Sequence, residues 1–384
     1  MSKESAMRIG VVGKRGLASL PGALGETGTV ASVFCDLDPR SLEQAARQFG
    51  FSRVTHRFDE VVENADAIII GTPMPLHAEQ SIVALASDRH VLCEVTAAFS
   101  IDECWAIADA VQRSKGIYMM AENYCYLRDC VLVRELVRKG FFGTPTFGQG
   151  AYLHDVKSYH YDDQGRPTWR AHYQVGVDGC TYGTHSLGPV MQWMKVSDPA
   201  DRVESVVCLG AGRWTRPEHR QQDTTVTLVQ LASGRLIEIR LDMLSNRPNH
   251  AAKYALQGTQ GVFECGPEEH VRGLVWFDDG AMGTRFWRSL QDYDEHLPPD
   301  WLHVEREAAA SGHGGADFRV GRDFVRAARG EIAPPISWQD ALEWTAAGLA
   351  STLSIENGGV PIRVPRFDDL AQAPAWLREQ RENH

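Results

Sequence analysis

A phenol and an imidazole stand three residues apart at Tyr182 and His185, inside the run GCTYGTHSLGPVMQWM that covers residues 179–194. One helical turn would bring both onto one face. Both groups donate, accept or relay protons, the histidine near neutrality. Behind them Leu187, Val190, Met191 and Met194 recur at the spacing of a buried helical stripe. Gly188-Pro189 is expected near the start of that helix, where proline is tolerated. A core-facing tyrosine and a capping histidine are the plain alternative. A second stretch collects Tyr152, His154, Asp155, Lys157, His160, Arg166, Trp169 and Arg170. Donors mixed with an aromatic suit a polyhydroxylated ring, and two arginines with a lysine suit an anionic substituent. An ordinary solvated loop fits equally well. His313 lies among glycines in GHGGAD, as a contact to substrate or as a helix entry.

Elements able to position such groups begin at the N-terminus. Met7–Gly13 (MRIGVVG) reads as a buried first strand ending in glycine. The turn Gly13-Lys14-Arg15-Gly16 follows, where backbone amides can approach a pyrophosphate. Arg15 and Ala18 occupy the second and third glycine positions of the usual GxGxxG fingerprint, so a tight structural turn stays open as a reading. The strand Thr29–Phe34 ends at Asp36, 20 residues after Gly16. A carboxylate there accepts from a ribose diol and repels a 2′-phosphate, which favours NAD over NADP; Arg40 leaves room for the latter.

Strand and helix patterns then alternate: a helix over 41–49, strand 65–70, helix 77–86, strand 90–95, helix 101–113 opened by a capping box at Ser100, and strand 117–120. This is a doubly wound parallel sheet, whose ligands lie beyond the carboxyl ends of the strands. Gly13–Gly16, Asp36, Thr72, His77, Glu94 and Asn123 fall there. After a helix at about 131–139 the pattern changes to strands at 146–153, 203–208, 224–231, 235–244, 254–256 and 261–265. It predicts an α+β domain with a mostly antiparallel open sheet, one face taking helices and the other a second subunit. Residues 266–312 read as an irregular cover, followed by helices at 317–329 and 338–355. The expected organisation is therefore a dinucleotide-binding domain over 1–125 and a substrate domain over 126–384.

Composition narrows the partners. A net charge of −11 over 384 residues argues against nucleic acid as a partner. No apolar run reaches membrane-spanning length, and no secretory leader is visible. Eight scattered cysteines without a CxxC pair suggest reduced thiols in the cytoplasm and no metal site.

The blocks RIGVVG, CDLDP, IIIGTPMPLH and HVLCEV resemble the glucose-fructose oxidoreductase / inositol dehydrogenase superfamily. The third block carries Thr72, Pro73 and His77 as cofactor residues, beside Lys14 and Arg15 in the turn. Most of that superfamily has Glu-Lys-Pro where this chain has Glu94, Val95 and Thr96, so the relay lysine is missing. MMAENYCY, AYLHD, YGTHSLGPVMQW, YALQGTQG and GHGGADF narrow the resemblance to its NAD-dependent glycosidases, best known as α-N-acetylgalactosaminidases. Gly183 and Ser186 depart from that group's proline and glycine. The resemblance implies catalytic roles for Tyr182, His185 and His154. It also implies a sequence of C3 oxidation by NAD⁺, loss of the C2 proton, elimination at C1, water addition and re-reduction. An N-acetylhexosaminide follows from the resemblance. An anionic glycoside such as a sulfoquinovoside follows from Lys157, Arg166 and Arg170. Tyr152, Trp169 and His313 complete the expected substrate contacts, and a homo-dimer or homo-tetramer is expected. A sugar dehydrogenase releasing NADH, and a non-catalytic sugar or nucleotide sensor, are the competing readings.

Overall fold

The structure, a computed structural model, describes residues 6–247, 252–268, 271–278, 286–302, 308 and 311–382. The chain forms two compact units. The first holds residues 1–126, 305–342 and 366–384, and the second holds 127–304 and 343–365. The sequence pattern carries no sign of the two returns to the first unit.

The first unit is built on six parallel strands: β1 Met7–Val12, β2 Thr29–Cys35, β3 Arg53–Thr55, β4 Ala67–Ile70, β5 His90–Cys93 and β6 Tyr118–Met120. Their order is β3-β2-β1-β4-β5-β6, so the winding reverses between β1 and β4. The apolar run of β4 is buried on both faces, as a central parallel strand requires. β3 and the helix Phe58–Asn64 escaped the sequence reading; a three-residue edge strand leaves little periodicity to detect. At the reversal Gly13 has φ +81°, and an added Cβ would come within 2.4 Å of Gly71 O. Only glycine lets the two loop backbones meet there. The helix Ile101–Arg113 opens with the expected capping box between Ser100 and Glu103. It receives the terminal segment through Trp105 against Phe367 (ring centroids 4.9 Å) and Arg381 against Asp109 (2.6 Å).

The second unit carries nine strands: β7 Pro145–Leu153, β8 Val203–Gly210, β9 Thr225–Leu231, β10 Leu236–Asp242, β11 Ala252–Gly258, β12 Gly261–Glu264, β13 Leu274–Phe277, β14 Arg288–Ser289 and β15 Ile362–Arg363. They run in the order β14-β13-β12-β11-β7-β10-β9-β8-β15. β7 and β10 are parallel and the other neighbours antiparallel. The stretch 266–312, read from sequence as irregular cover, instead supplies β13 and β14 within its described residues; LVWF is a β-branched and aromatic run that completes the sheet edge.

The helix Thr184–Ser197 lies on β7. Its stripe of Leu187, Val190, Met191 and Met194 is fully buried. Gly148 and Gly150 face it from the strand, and a Cβ on Gly150 would come within 1.9 Å of Ser186 O. The alternation of a strand then puts Tyr152 on the same face, beside the helix start. The opposite sheet face exposes Leu209, Leu228 and Leu274.

Candidate functional site

At the carboxyl ends of the parallel strands, the glycine turn is tied back by Gly13 N–H donating to Cys35 O (2.9 Å) and Gly71 N–H to Val12 O (2.8 Å). Lys14 is exposed on this turn, which continues as a single 3-10 stretch through Ala18. Asp36 stands at the end of β2. Its carboxylate accepts from Asp38 N–H (2.9 Å) and Ser41 Oγ (3.4 Å), which leaves lone pairs for further donors. Thr72 Oγ1 lies 2.7 Å from Gln80 Oε1, and Pro73 opens the short helical turn before His77.

His77 does not offer its ring to a ligand, contrary to the sequence expectation. It is buried, and Nδ1 and Nε2 each lie 2.8 Å from a backbone carbonyl, of Thr96 and of Thr72. Both nitrogens must donate, so the ring is an imidazolium. Burial pushes its pKa down, but Cys93 and the two carbonyls outweigh this and hold it at about 9. His77 clamps the loop after β4 to the segment after β5.

Glu94, Arg15, Asn123 and His313 converge near a residue the sequence reading passed over, Asp317. Arg15 Nη2 donates to Asp317 Oδ1 at 2.9 Å and its Nε lies 3.3 Å from Glu94 Oε1. Asn123 Nδ2 donates to Asp317 Oδ1 at 2.8 Å, and His313 Nδ1 meets Oδ2 at 2.9 Å. Burial would raise the Asp317 pKa, but His313 and Arg15 drive it well below the usual carboxylate range. His313, expected as a substrate contact, thus stands among the cofactor-side residues. Its spacing of four from Asp317 on a helix entry was the signal available in the sequence.

In the second unit Tyr182 lies in the turn before the helix rather than on it, since the helix begins at Thr184, and Pro189 is well inside. The pairing of phenol and imidazole survives: the rings of Tyr182 and His185 are 5.1 Å apart. Tyr152 is the hub, with centroids 5.2 Å from His185, 5.5 Å from Tyr182 and 5.6 Å from His154. The His185 carbonyl accepts from Tyr254 Oη at 2.5 Å. His154 Nδ1 is buried with no hydrogen-bond partner among the described residues. Burial, with His185 and Arg170 nearby, lowers its pKa against the pull of Asp155, which favours the neutral ring.

The turn carrying Tyr182 is held from behind by Asp178, a second residue the sequence reading missed. Its carboxylate accepts from Arg213 Nη2 (2.9 Å), Gln222 Nε2 (3.0 Å) and the Gly179 N–H (2.9 Å). The Gly179 carbonyl accepts from Gln221 Nε2 (2.9 Å) and Thr225 Oγ1 (3.2 Å). These bonds on two adjacent residues fix the backbone that presents the phenol.

The cationic cluster expected around residues 157–170 does not assemble. Lys157 Nζ is held by Leu244 O (2.9 Å), Asn246 Oδ1 (2.8 Å) and Asp155 Oδ2 (3.0 Å). Arg166 pairs with Asp162 (2.7 Å) on an exposed turn. Arg170 alone has no carboxylate partner among the described residues. Its guanidinium stacks 4.4 Å from the Trp169 ring and 5.7 Å from the Tyr159 ring. His160 is buried against His219 and held near a pKa of 4 by burial, with His219 and Arg170 adding to the shift. Among the described residues no group of three or more histidines, cysteines or acids is placed to hold a metal. No described helix is long and apolar enough to cross a membrane.

Two family models match the chain. One, an oxidoreductase family with an NAD-binding Rossmann fold, covers residues 7–122. The other, the glycosyl hydrolase 109 C-terminal domain, covers residues 126–372. A glycosyl hydrolase family 109 protein of Solibacter usitatus is 30% identical over 81% of this chain and 74% of its own length. One of Shewanella woodyi is 29% identical over 95% of this chain and 85% of its own. Among solved structures, a levoglucosan dehydrogenase in complex with NADH has a TM-score of 0.76 at 21% identity, covering 94% of this chain and 100% of that one. An inositol dehydrogenase homolog from Azotobacter vinelandii, complexed with NADH and myo-inositol, has a TM-score of 0.73 at 17% identity, covering 94% and 98%. At such identities the likeness is one of fold. The first unit is an NAD-binding Rossmann domain, and its groups fit the cofactor: a side-chain-free Gly13, a carboxylate at Asp36, and an Asn123 Oδ1 buried without a partner among the described residues.

Proposed function

Since the chain belongs to the glycosyl hydrolase 109 family, we propose that it is a redox-neutral, NAD-dependent glycoside hydrolase acting on an N-acetylhexosaminide. The observation that carries this reading is the ring cluster of Tyr152, His154, Tyr182 and His185. It supplies several proton-transfer groups where a conventional glycosidase needs two carboxylates. Bound NAD⁺ supplies a hydride acceptor at the sugar, and return of the hydride leaves no net redox change. His154, whose neutral form burial favours, is suited to take the proton made acidic by the transient ketone. His185, assisted by Tyr182, serves the leaving group or the C3 hydroxyl. Tyr152 and Trp169 offer apolar faces to the ring, and Arg170 donates to its oxygens. Because Lys157 and Arg166 are already engaged, a neutral sugar is favoured over an anionic one.

The test is hydrolysis of an aryl α-N-acetylgalactosaminide by the NAD-loaded enzyme in heavy water. Deuterium at C2 of the released sugar without accumulating NADH supports the reading. Cleavage with the C2 hydrogen fully retained overturns it, and stoichiometric NADH would instead mark a dehydrogenase. A cytoplasmic homo-oligomer belongs to the same proposal. Eight cysteines outside any disulfide, seven of them buried, and the exposed Leu209, Leu228 and Leu274 of the open sheet face support it, and light scattering of the purified protein tests the subunit number.

A further inference from the structure

Three chain segments end on the carboxylate of Asp317. Oδ1 accepts from Arg15 Nη2 (2.9 Å) and Asn123 Nδ2 (2.8 Å), and Oδ2 meets His313 Nδ1 (2.9 Å). Arg15 belongs to the glycine turn after β1, Asn123 follows β6, and His313 sits on a turn where φ is positive from His313 through Gly315. The carboxylate is 2% exposed, and a charge so buried is tolerated only when it is paired and hydrogen-bonded. Two of its partners, Arg15 and Asn123, stand just beyond the ends of parallel strands, where dinucleotides bind.

The shared carboxylate has two geometric consequences. His313 Nδ1 lies 2.9 Å from Asp317 Oδ2 and 3.0 Å from Asn123 Nδ2, so this edge of the imidazole is fixed between the carboxylate and the carboxamide. The Asn123 amide nitrogen turns toward Asp317, which turns its oxygen away; Oδ1 is buried without a partner among the described residues. One carboxylate therefore sets the guanidinium, the carboxamide and the imidazole together.

We propose that Asp317 is a positioning residue for NAD, holding Arg15, Asn123 and His313 in the arrangement that receives the dinucleotide. The inference rests on the NAD-binding assignment of this unit and not on the glycosidase reading. NAD⁺ is titrated calorimetrically into the cofactor-stripped full chain with no glycoside present, so either reading can fail without the other. Asp317→Asn raises Kd by about 10- to 100-fold, the worth of losing charge-assisted bonds. At saturating NAD⁺ the turnover number stays within about threefold while the half-saturating NAD⁺ concentration rises with Kd. Adding Arg15→Gln to Asp317→Asn changes Kd less than about threefold, because the carboxylate proposed to position the guanidinium is already lost. Where Asp317→Asn does not fold, Arg15→Gln and Asn123→Ala keep the carboxylate in place, and their combined effect falls short of the product of the single ones. Asp317→Asn with a Kd within twofold of the parent, or paired variants whose effects multiply in full, overturns the proposal.

Discussion

At the cofactor end, Arg15, Asn123, His313 and Asp317 meet through charged and polar contacts of 2.8–3.0 Å, whereas the second unit gathers Tyr152, His154, Tyr182 and His185 as rings 5.1–5.6 Å apart. The first arrangement closes its charges on one another and leaves Asn123 Oδ1 buried without a partner among the described residues. In the second, among the described residues, His154 Nδ1 is buried without a hydrogen-bond partner and the nearby Arg170 lies against rings with no carboxylate beside it. Buried polar groups without partners are uncommon, and they collect where a ligand is expected. A cofactor that stays through the cycle needs a fixed cradle. A substrate that enters, reacts and leaves needs groups whose hydrogen bonds are still to be made.

Removing an imidazole should break this contrast most sharply. His185→Ala is expected to lower kcat by about 10²–10⁴-fold, the usual worth of an acid–base group. NAD⁺ affinity should stay within twofold, and turnover kinetics beside calorimetry read both. Surviving turnover would reassign the second unit's site. The next effect acts through packing. Gly150→Ala places a methyl where Ser186 O already stands, which is expected to cost about 1–3 kcal/mol of stability and to shift the helix that carries His185. Thermal unfolding and kcat should both fall, again with NAD⁺ affinity kept.

A third test separates the two units by pH. The pKa of His77 is raised when folded, so its contribution to stability is complete below about 6.5 and is lost as pH rises through about 9. The melting temperature should therefore decline from pH 6.5 to 9. His77→Gln should be less stable at pH 6.5 and flatter over that range. The smallest effect is expected at Arg166→Ala, whose ion pair with Asp162 is exposed. Stability should change by less than about 0.5 kcal/mol and kcat/KM by less than twofold; a larger loss would return Arg166 to the substrate contacts.

Periodicity made much of this legible. The buried run Ala67–Ile70 reads as a central parallel strand because both its faces are apolar, and the helix His77–Ala86 emerges with the expected limits. The hairpin between β9 and β10 follows from Ala232-Ser233-Gly234 between two alternating runs. The short edge strand Arg53–Thr55 and the strand Leu274–Phe277 lacked the length or the flanking signals for such a reading. Side-chain roles were less accessible. Nothing in the types of Lys157, Arg166 and Arg170 says that two are paired and one is stacked.

Local chemistry alone settled which residues make strands and helices, where the glycine turn lies, and that a tyrosine and a histidine stand together near a helix start. Those are questions of spacing along one chain. Folding decided that His77 is a buried clamp, that Asp178 and Asp317 hold the two groups of candidate site residues, and that Tyr152 centres the rings. Each of these depends on partners many residues away in the chain, such as Arg15 and Asp317, and no local pattern records which distant groups a close-packed fold will bring within hydrogen-bond reach.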